Sequence, residues 1–215
     1  MSMIALGTYI KLGIIGAGIL IGFLQNEKLT TANRTFWFFL VIAGSFEILE
    51  RMMGVIFQNN FPLYHVARPL FYGILTWGLA TGLGRFRKLF LLTVPLVWLA
   101  AWLNARTLQP PATTLNTIVI TFTSLLLILQ VLLYVTRLFE YEDWNTIMYR
   151  GSFWIVLGIL INSISSFLTL SIYNSILNRG NDLTFPILVI TEWLFYLSFS
   201  LNFILQSKGS PQKSA

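Results

Sequence analysis

Long apolar runs separated by short polar connections follow one another along nearly the whole chain. A bilayer core about 30 Å thick is crossed by roughly 20 helical residues, each of which adds about 1.5 Å. The runs do not alternate in polarity at every second residue, as a membrane β-barrel requires. Seven segments are long enough to cross as helices: 4–24, 35–57, 62–83, 88–105, 112–135, 151–173 and 184–206. We therefore predict an all-α, polytopic membrane protein with one seven-helix transmembrane domain at residues 1–207 and a disordered tail at 208–215.

The composition agrees with a chain that lies almost entirely in lipid. Of 215 residues, 56% are hydrophobic and 10% are charged, whereas an ordinary globular chain has roughly 25% charged residues. The net charge of +6 comes from basic residues scattered between apolar runs, which indicates contact with anionic lipid rather than nucleic-acid binding. No basic region precedes the first apolar run, so we expect no cleavable signal peptide.

Basic residues are distributed unevenly over the two ends of the predicted helices. The loops after the first, third and fifth segments, together with the tail, contain Lys28, Arg34, Arg85, Arg87, Lys88, Arg137, Arg150, Lys208 and Lys213. The opposite loops contain Arg106 and Arg179. The positive-inside rule then predicts that the N-terminus is outside and the C-terminal tail is cytoplasmic. We expect a multi-pass protein of the plasma membrane, the inner membrane of a bacterium.

Ionisable residues interrupt several apolar runs at a similar depth. Counted from the outer helix ends, most of them lie about 5–12 Å below the outer surface. Their spacings place them on single helix faces, since residues three or four apart share a face. Charge at this depth is expensive in lipid, so we expect these side chains to face a protein interior or a wet cavity. The candidate ligand-binding residues are Lys11, Glu47, Glu50, Arg51, His65, Arg68, Tyr72, Glu192 and Tyr196.

The formal charges in this layer balance, with three basic and three acidic side chains. We expect Arg51 and Arg68 to contact carboxylates of the layer at roughly 2.7–3.2 Å. Two interpretations stay open: an ion-pair network that only fixes helix positions, or a site for a ligand, ion or proton. The two arginines favour an anionic group on a bound ligand. Weaker candidates for an extended polar lining are Asn116, Thr117, Asn162, Ser165 and Ser166.

Several chemistries lack the residues they need. His65 is the only histidine, and neighbouring arginines would repel a metal ion, so we expect no metal site. The run from Glu47 to Arg51 lacks the Glu-Glu-x-x-x-Arg spacing and the second histidine helix of CAAX-type intramembrane proteases. A retinal protein would need a lysine midway along the last helix, where this chain has none. We therefore assign no catalytic residue and no cofactor.

The stretch Asn59-Asn60-Phe61-Pro62-Leu63-Tyr64-His65 resembles a group of small bacterial seven-helix integral membrane proteins with no assigned biochemical role. The resemblance is most specific over this hairpin, and otherwise covers helix number and length. It implies the seven-helix architecture and adds no activity.

These patterns favour a receptor-like sensor or binding protein with an outward-facing charged pocket for a small ligand. Its short inner loops would contact a cytoplasmic signalling partner. Among them, the acidic and aromatic stretch Phe139–Trp144 is expected to be a solvated loop or, alternatively, a docking point for that partner. The alternative is a small-molecule or proton-coupled transporter, for which no internal repeat is visible. An intramembrane enzyme is the third interpretation.

Overall fold

The computed structural model describes residues 3–141, 144–170 and 184–207, and within these ranges the regular elements are all helical. The all-α fold is therefore confirmed. Two 3₁₀ turns, Asn26–Lys28 and Gly84–Phe86, lie in connections. The helices are α1 (Met3–Leu24), α2 (Thr31–Ile56), α3 (Phe61–Leu79), α4 (Arg87–Thr107), α5 (Thr117–Tyr141), α6 (Trp144–Tyr149), α7 (Gly151–Leu170) and α8 (Thr184–Ser207). The tail predicted at 208–215 lies outside the described residues.

The long helices match the predicted segments within four residues at their described ends, except α5; α2 begins early, at Thr31, and α3 ends early, at Leu79. Helix α5 begins at Thr117 rather than 112, because residues 110–114 form a turn in which Pro110 accepts hydrogen bonds from the Thr113 and Thr114 amides. At its other end α5 continues to Tyr141, beyond the apolar run that ended the predicted segment. The loop predicted at Phe139–Trp144 is therefore largely wrong, since its first three residues belong to α5 and its last residue begins α6.

Among the described residues, five helices are long and apolar enough to cross a membrane, which supports a membrane-spanning protein. The corresponding spans are Leu6–Leu24, Gly84–Thr107, Thr117–Glu140, Gly151–Leu170 and Pro186–Gln206. The two long helices outside this set are α2 and α3. They contain most of the charged candidate residues, and these lower their mean hydropathy. Seven spans and the predicted orientation remain predictions.

Helix contacts close the bundle into a ring. The helix α1 packs against α2 and α8, α8 against α7, α7 against α5, α5 against α3, and α3 against α2. The remaining long helix, α4, packs on the outside against α3 and α5. Because six helices surround one axis, side chains directed inward from any of them meet in a shared interior.

Aromatic side chains fill much of that interior toward α8. The Phe39 ring stacks on Phe199 with centroids 5.4 Å apart, and it meets the Phe71 and Phe195 rings edge-on at 5.3 and 5.7 Å. Large apolar side chains also cover the outside of the bundle, as a lipid environment favours. On α4 the exposed examples are Leu89, Leu92, Leu96, Trp98, Leu99, Trp102 and Leu103.

Candidate functional site

The turn between α2 and α3 orients the first residues of the site. Gln58 adopts a positive φ of 53°, which ends α2. The Asn59 side chain accepts a hydrogen bond from the Phe61 amide at 2.9 Å and donates one to the Ala112 carbonyl at 2.8 Å. Pro62 lies in the first turn of α3, where its missing N–H costs nothing. The turn is thus held to the segment before α5 and brings α2 and α3 together as a tight hairpin.

Lys11 joins three helices by ion pairs. Its Nζ lies 2.7 Å from Glu47 Oε2 on α2 and 3.0 Å from Glu192 Oε2 on α8. The side chains of Lys11 and Glu47 are each 13% exposed, and that of Glu192 is 36% exposed. One ammonium shared by two carboxylates leaves this triad with a formal charge of −1. Three predicted site residues therefore do meet, although lysine rather than arginine pairs with the acids.

Glu50 is held by neutral donors. Its Oε1 accepts hydrogen bonds from the Tyr64 hydroxyl at 2.7 Å and from the Asn60 side-chain amide at 3.0 Å. Neither Asn60 nor Tyr64 was a predicted site residue. The signal for them is the shortness of the turn, which keeps Asn60 and Tyr64, at the start of α3, close to the end of α2 that contains Glu50.

The expected contacts of Arg51 and Arg68 with carboxylates are wrong. In the described part of the chain, neither guanidinium lies within 4.0 Å of a carboxylate oxygen. The physical reason is that the carboxylates are otherwise engaged, Glu47 and Glu192 by Lys11 and Glu50 by its neutral donors. Arg51 lies over the Tyr9 ring instead, with its Cζ 4.1 Å from the ring centroid. Arg68 forms no hydrogen bond or ion pair within the described residues.

Two cavities adjoin this arrangement. The central cavity, of about 80 Å³, lies inside the helix ring; Glu47, Arg68, Tyr72, Asn162 and Tyr196 are among its lining residues. The turn-side cavity, of about 280 Å³, lies nearer the α2–α3 turn and is lined in part by Lys11, Asn60 and Trp193. Both cavities share Glu50, Tyr64, Arg68 and Glu192. These four side chains therefore separate one space from the other.

Two predicted residues face the central cavity in different ways. Tyr72 lines it, but its hydroxyl is hydrogen bonded to Thr93 Oγ1 and to the Gln130 side-chain amide at 3.0 Å. Tyr196 also lines it, and its hydroxyl forms no hydrogen bond within the described residues. Asn162, a weaker candidate, likewise lines this cavity.

His65 and Arg51 line neither cavity. The His65 ring is buried, and its Nε2 lies 3.1 Å from the Thr114 carbonyl oxygen. Its Nδ1 is buried without a hydrogen-bond partner in the described part of the chain. His65 thus connects α3 to the segment before α5, alongside the Asn59 contact with Ala112.

Other polar candidates belong to separate networks. Asn116 accepts a hydrogen bond from the Asn104 side chain at 2.7 Å, and Thr117 accepts one from Gln109 at 2.6 Å. Ser165 accepts a hydrogen bond from Thr191 at 3.0 Å. These contacts hold helices and connections together, and Asn116, Thr117 and Ser165 do not line either cavity.

The arrangement thus combines a shared ammonium, a carboxylate held by neutral donors and a guanidinium without an ion-pair partner among the described residues, all around two neighbouring cavities. Such a set can bind a polar or ionic group, but among the described residues no three His, Cys, Asp or Glu side chains come together to hold a metal ion. No family model, curated protein or solved structure matches this chain.

Proposed function

We propose that this protein is a receptor-like membrane sensor or binding protein that recognises a small molecule through an anionic group, with Arg68 as the anchor. The carrying observation is the Arg68 guanidinium, which lines both cavities and forms no hydrogen bond or ion pair in the described part of the chain. A ligand would enter through the turn-side cavity and place its anionic group beside Arg68.

The chemistry of the guanidinium supports an anionic ligand. Burying a charge without a partner costs several kcal/mol, so a partner that supplies the opposite charge gains much of that free energy. Guanidinium has five N–H donors in a planar fork that fits the two oxygens of a carboxylate or phosphate. Lys11, the other cation among the lining residues of the turn-side cavity, is already shared by two carboxylates.

Two further groups could form hydrogen bonds with other parts of the ligand. Glu50 uses Oε1 for Tyr64 and Asn60, while its Oε2 accepts no hydrogen bond from the described residues. The Tyr196 hydroxyl is similarly available in the central cavity. A ligand that has a hydrogen-bond donor near its anionic group would satisfy Arg68 and Glu50 together. Amphoteric small molecules are therefore the preferred class for a first screen.

The membrane arrangement belongs to the same proposal. Seven spans would place α2 and α3 across the bilayer with their charges turned into the helix ring, and their lengths of 26 and 19 residues suffice at about 1.5 Å per residue. The turn-side cavity would then open outside, and the basic connections would contact the cytoplasm and a signalling partner. A reporter fused after Lys213 should behave as cytoplasmic in an inner-membrane topology assay, and a reporter on the opposite side would overturn this orientation.

A transporter is the second candidate, and one observation favours it. Glu50, Tyr64, Arg68 and Glu192 separate two spaces along the bundle axis, as a substrate or proton relay would require. Uptake of a labelled compound into proteoliposomes distinguishes the two functions. Accumulation that exceeds empty liposomes and is lost in Arg68→Gln would favour the carrier, whereas binding without uptake would favour the sensor.

Ligand-dependent stability tests the anchor. Purified wild type, Arg68→Gln and Arg51→Gln would be screened against small carboxylates, phosphates and amino acids by thermal unfolding. A ligand at about 100 times its Kd adds roughly 2.7 kcal/mol to the free energy of unfolding. We expect that gain in wild type and in Arg51→Gln, since Arg51 lines neither cavity, and its loss in Arg68→Gln. Equal stabilisation of all three proteins would exclude Arg68 as the anchor.

A further inference from the structure

A second polar groove lies at the opposite end of α3 from the charged site. It has a volume of about 420 Å³, and its lining residues are Thr81, Gly82, Gly84, Tyr134, Arg137, Leu138 and Arg150. The groove lies between the α3–α4 connection and the C-terminal part of α5. It shares no lining residue with the central or the turn-side cavity.

Two glycines let α5 side chains lie directly against this connection. A Cβ on Gly82 would lie 1.9 Å from the Tyr134 ring, and a Cβ on Gly84 would lie 1.2 Å from an Arg137 guanidinium nitrogen. Gly84 also has a φ of +51°, which L side chains rarely adopt. The absence of both side chains therefore allows the Arg137 guanidinium to occupy the floor of the groove.

No described acidic side chain pairs with Arg137 in the groove. It is partly buried, and within the described residues it forms no ion pair and no hydrogen bond. Glu140, one turn later on α5, is exposed and does not pair with it. Arg150 lines the same groove, and Arg85, Arg87 and Lys88 follow Gly84 directly in the chain. Both charged residues among the described lining of the groove are therefore basic.

The surroundings of the groove suit a lipid. The groove lies at the ends of two spans that are long and apolar enough to cross a membrane, Gly84–Thr107 and Thr117–Glu140. Phospholipid headgroups lie at this level of a bilayer, just outside the hydrocarbon core. Basic pockets between transmembrane helices near the cytoplasmic surface commonly bind anionic lipid headgroups.

We propose that this groove binds a phosphate group supplied by the headgroup of an anionic phospholipid, with Arg137 as its main contact. The guanidinium would donate two parallel hydrogen bonds to phosphate oxygens, and Arg150 would add positive charge. The competing explanation is that Arg137 interacts only with the backbone carbonyl groups at the C-terminal ends of α3 and α5.

Lipid-dependent stability and lipid retention test the proposal. Wild type would be placed in nanodiscs of phosphatidylcholine alone and in nanodiscs where part of it is replaced by phosphatidylglycerol. We expect a higher Tm with phosphatidylglycerol, and retention of phosphatidylglycerol by the detergent-released protein in native mass spectrometry. An equal rise in Tm on adding inorganic phosphate or glycerol phosphate to phosphatidylcholine nanodiscs would instead assign the site to a soluble phosphate and overturn the lipid assignment.

Arg137→Gln and the matched control Arg85→Gln separate a defined site from diffuse surface charge. Arg85 lies in the same connection, is exposed and does not line the groove. Removing one basic residue near an anionic surface weakens binding about five-fold, and we expect at most that for Arg85→Gln. For Arg137→Gln we expect a loss well beyond five-fold.

Equal losses in the two variants, or none in Arg137→Gln, would overturn the proposal. If Arg137→Gln does not fold, Arg137→Lys takes its place. Lysine keeps the charge but not the planar fork, so a loss of phosphatidylglycerol retention relative to wild type would support the site. Unchanged retention would overturn it.

Discussion

Tyr72 and Arg68 lie one turn apart on the same face of α3, and both line the central cavity, yet their polar groups have opposite surroundings. The Tyr72 hydroxyl belongs to a buried neutral network with Thr93 and Gln130, and Gln130 also donates to Thr76 at 3.2 Å. The Arg68 guanidinium has no such partner in the described part of the chain. Polar residues inside a helix ring therefore divide into groups that bind each other and groups that face open space. Only the second kind is free to bind a ligand.

The triad of Lys11, Glu47 and Glu192 differs from both Tyr72 and Arg68, because its groups are charged and they pair with each other. Replacing Lys11 by Met would leave Glu47 and Glu192 without their shared cation, and breaking a buried ion pair by removing one partner costs about 3–5 kcal/mol. We expect a loss of that size in the free energy of unfolding of the purified protein, measured by denaturant titration in detergent. The control Lys11→Arg should lose much less. A change below about 1 kcal/mol for Lys11→Met would show that the triad contributes little to stability.

Disrupting the neutral network around Gln130 should lower the free energy of unfolding by a smaller amount, and by the same amount with and without ligand. Replacing Gln130 by Met removes the amide donors to Tyr72 and Thr76 and should cost about 1 kcal/mol, because hydrogen bonds inside membrane proteins contribute about 0.6 kcal/mol on average. The combination with Tyr72→Phe should cost less than the sum of the single changes, since both remove one shared contact. If the losses of unfolding free energy in the two single variants simply add in the double variant, Tyr72 and Gln130 do not interact in the way proposed.

Sequence patterns were sufficient to predict the all-α class and the long helices, because these features are encoded by apolar runs that extend over many residues. Apolar runs of helical length predict each long helix, and the depth and helix face of Lys11, Glu47 and Glu192 place them in one layer, where the structure brings them together. The ends of α5 were harder to predict, because one depends on the turn at Pro110 and the other on a helix that continues beyond the apolar run.

The pairing within the site could not be predicted from spacing alone. Helical spacing assigns residues to a face, but it does not say which of several acids a cation reaches. Lys11 pairs with two carboxylates, and Glu50 accepts hydrogen bonds from Tyr64 and Asn60, so no described carboxylate lies within ion-pair distance of Arg68. Similarly, spacing grouped Arg51 with Glu47, whereas the Tyr9 ring on the neighbouring helix attracts its guanidinium.

Removing the Tyr196 hydroxyl should have the smallest effect on the free energy of unfolding, and it allows a direct comparison with removal of the Tyr72 hydroxyl. Tyr196→Phe removes a hydroxyl that has no partner within the described residues, so the free energy of unfolding without ligand should change by less than about 0.5 kcal/mol. Tyr72→Phe removes a hydroxyl that is hydrogen bonded to Thr93 and Gln130 and should cost about 1 kcal/mol. For ligand binding we expect the opposite order. A compound found through the Arg68 screen should stabilise Tyr196→Phe less than wild type, but should stabilise Tyr72→Phe as much as wild type. Thermal unfolding of both variants with and without that compound measures both orders. If Tyr196→Phe is the more destabilising change without ligand, its hydroxyl has a structural role and the division between paired and open groups fails at this cavity.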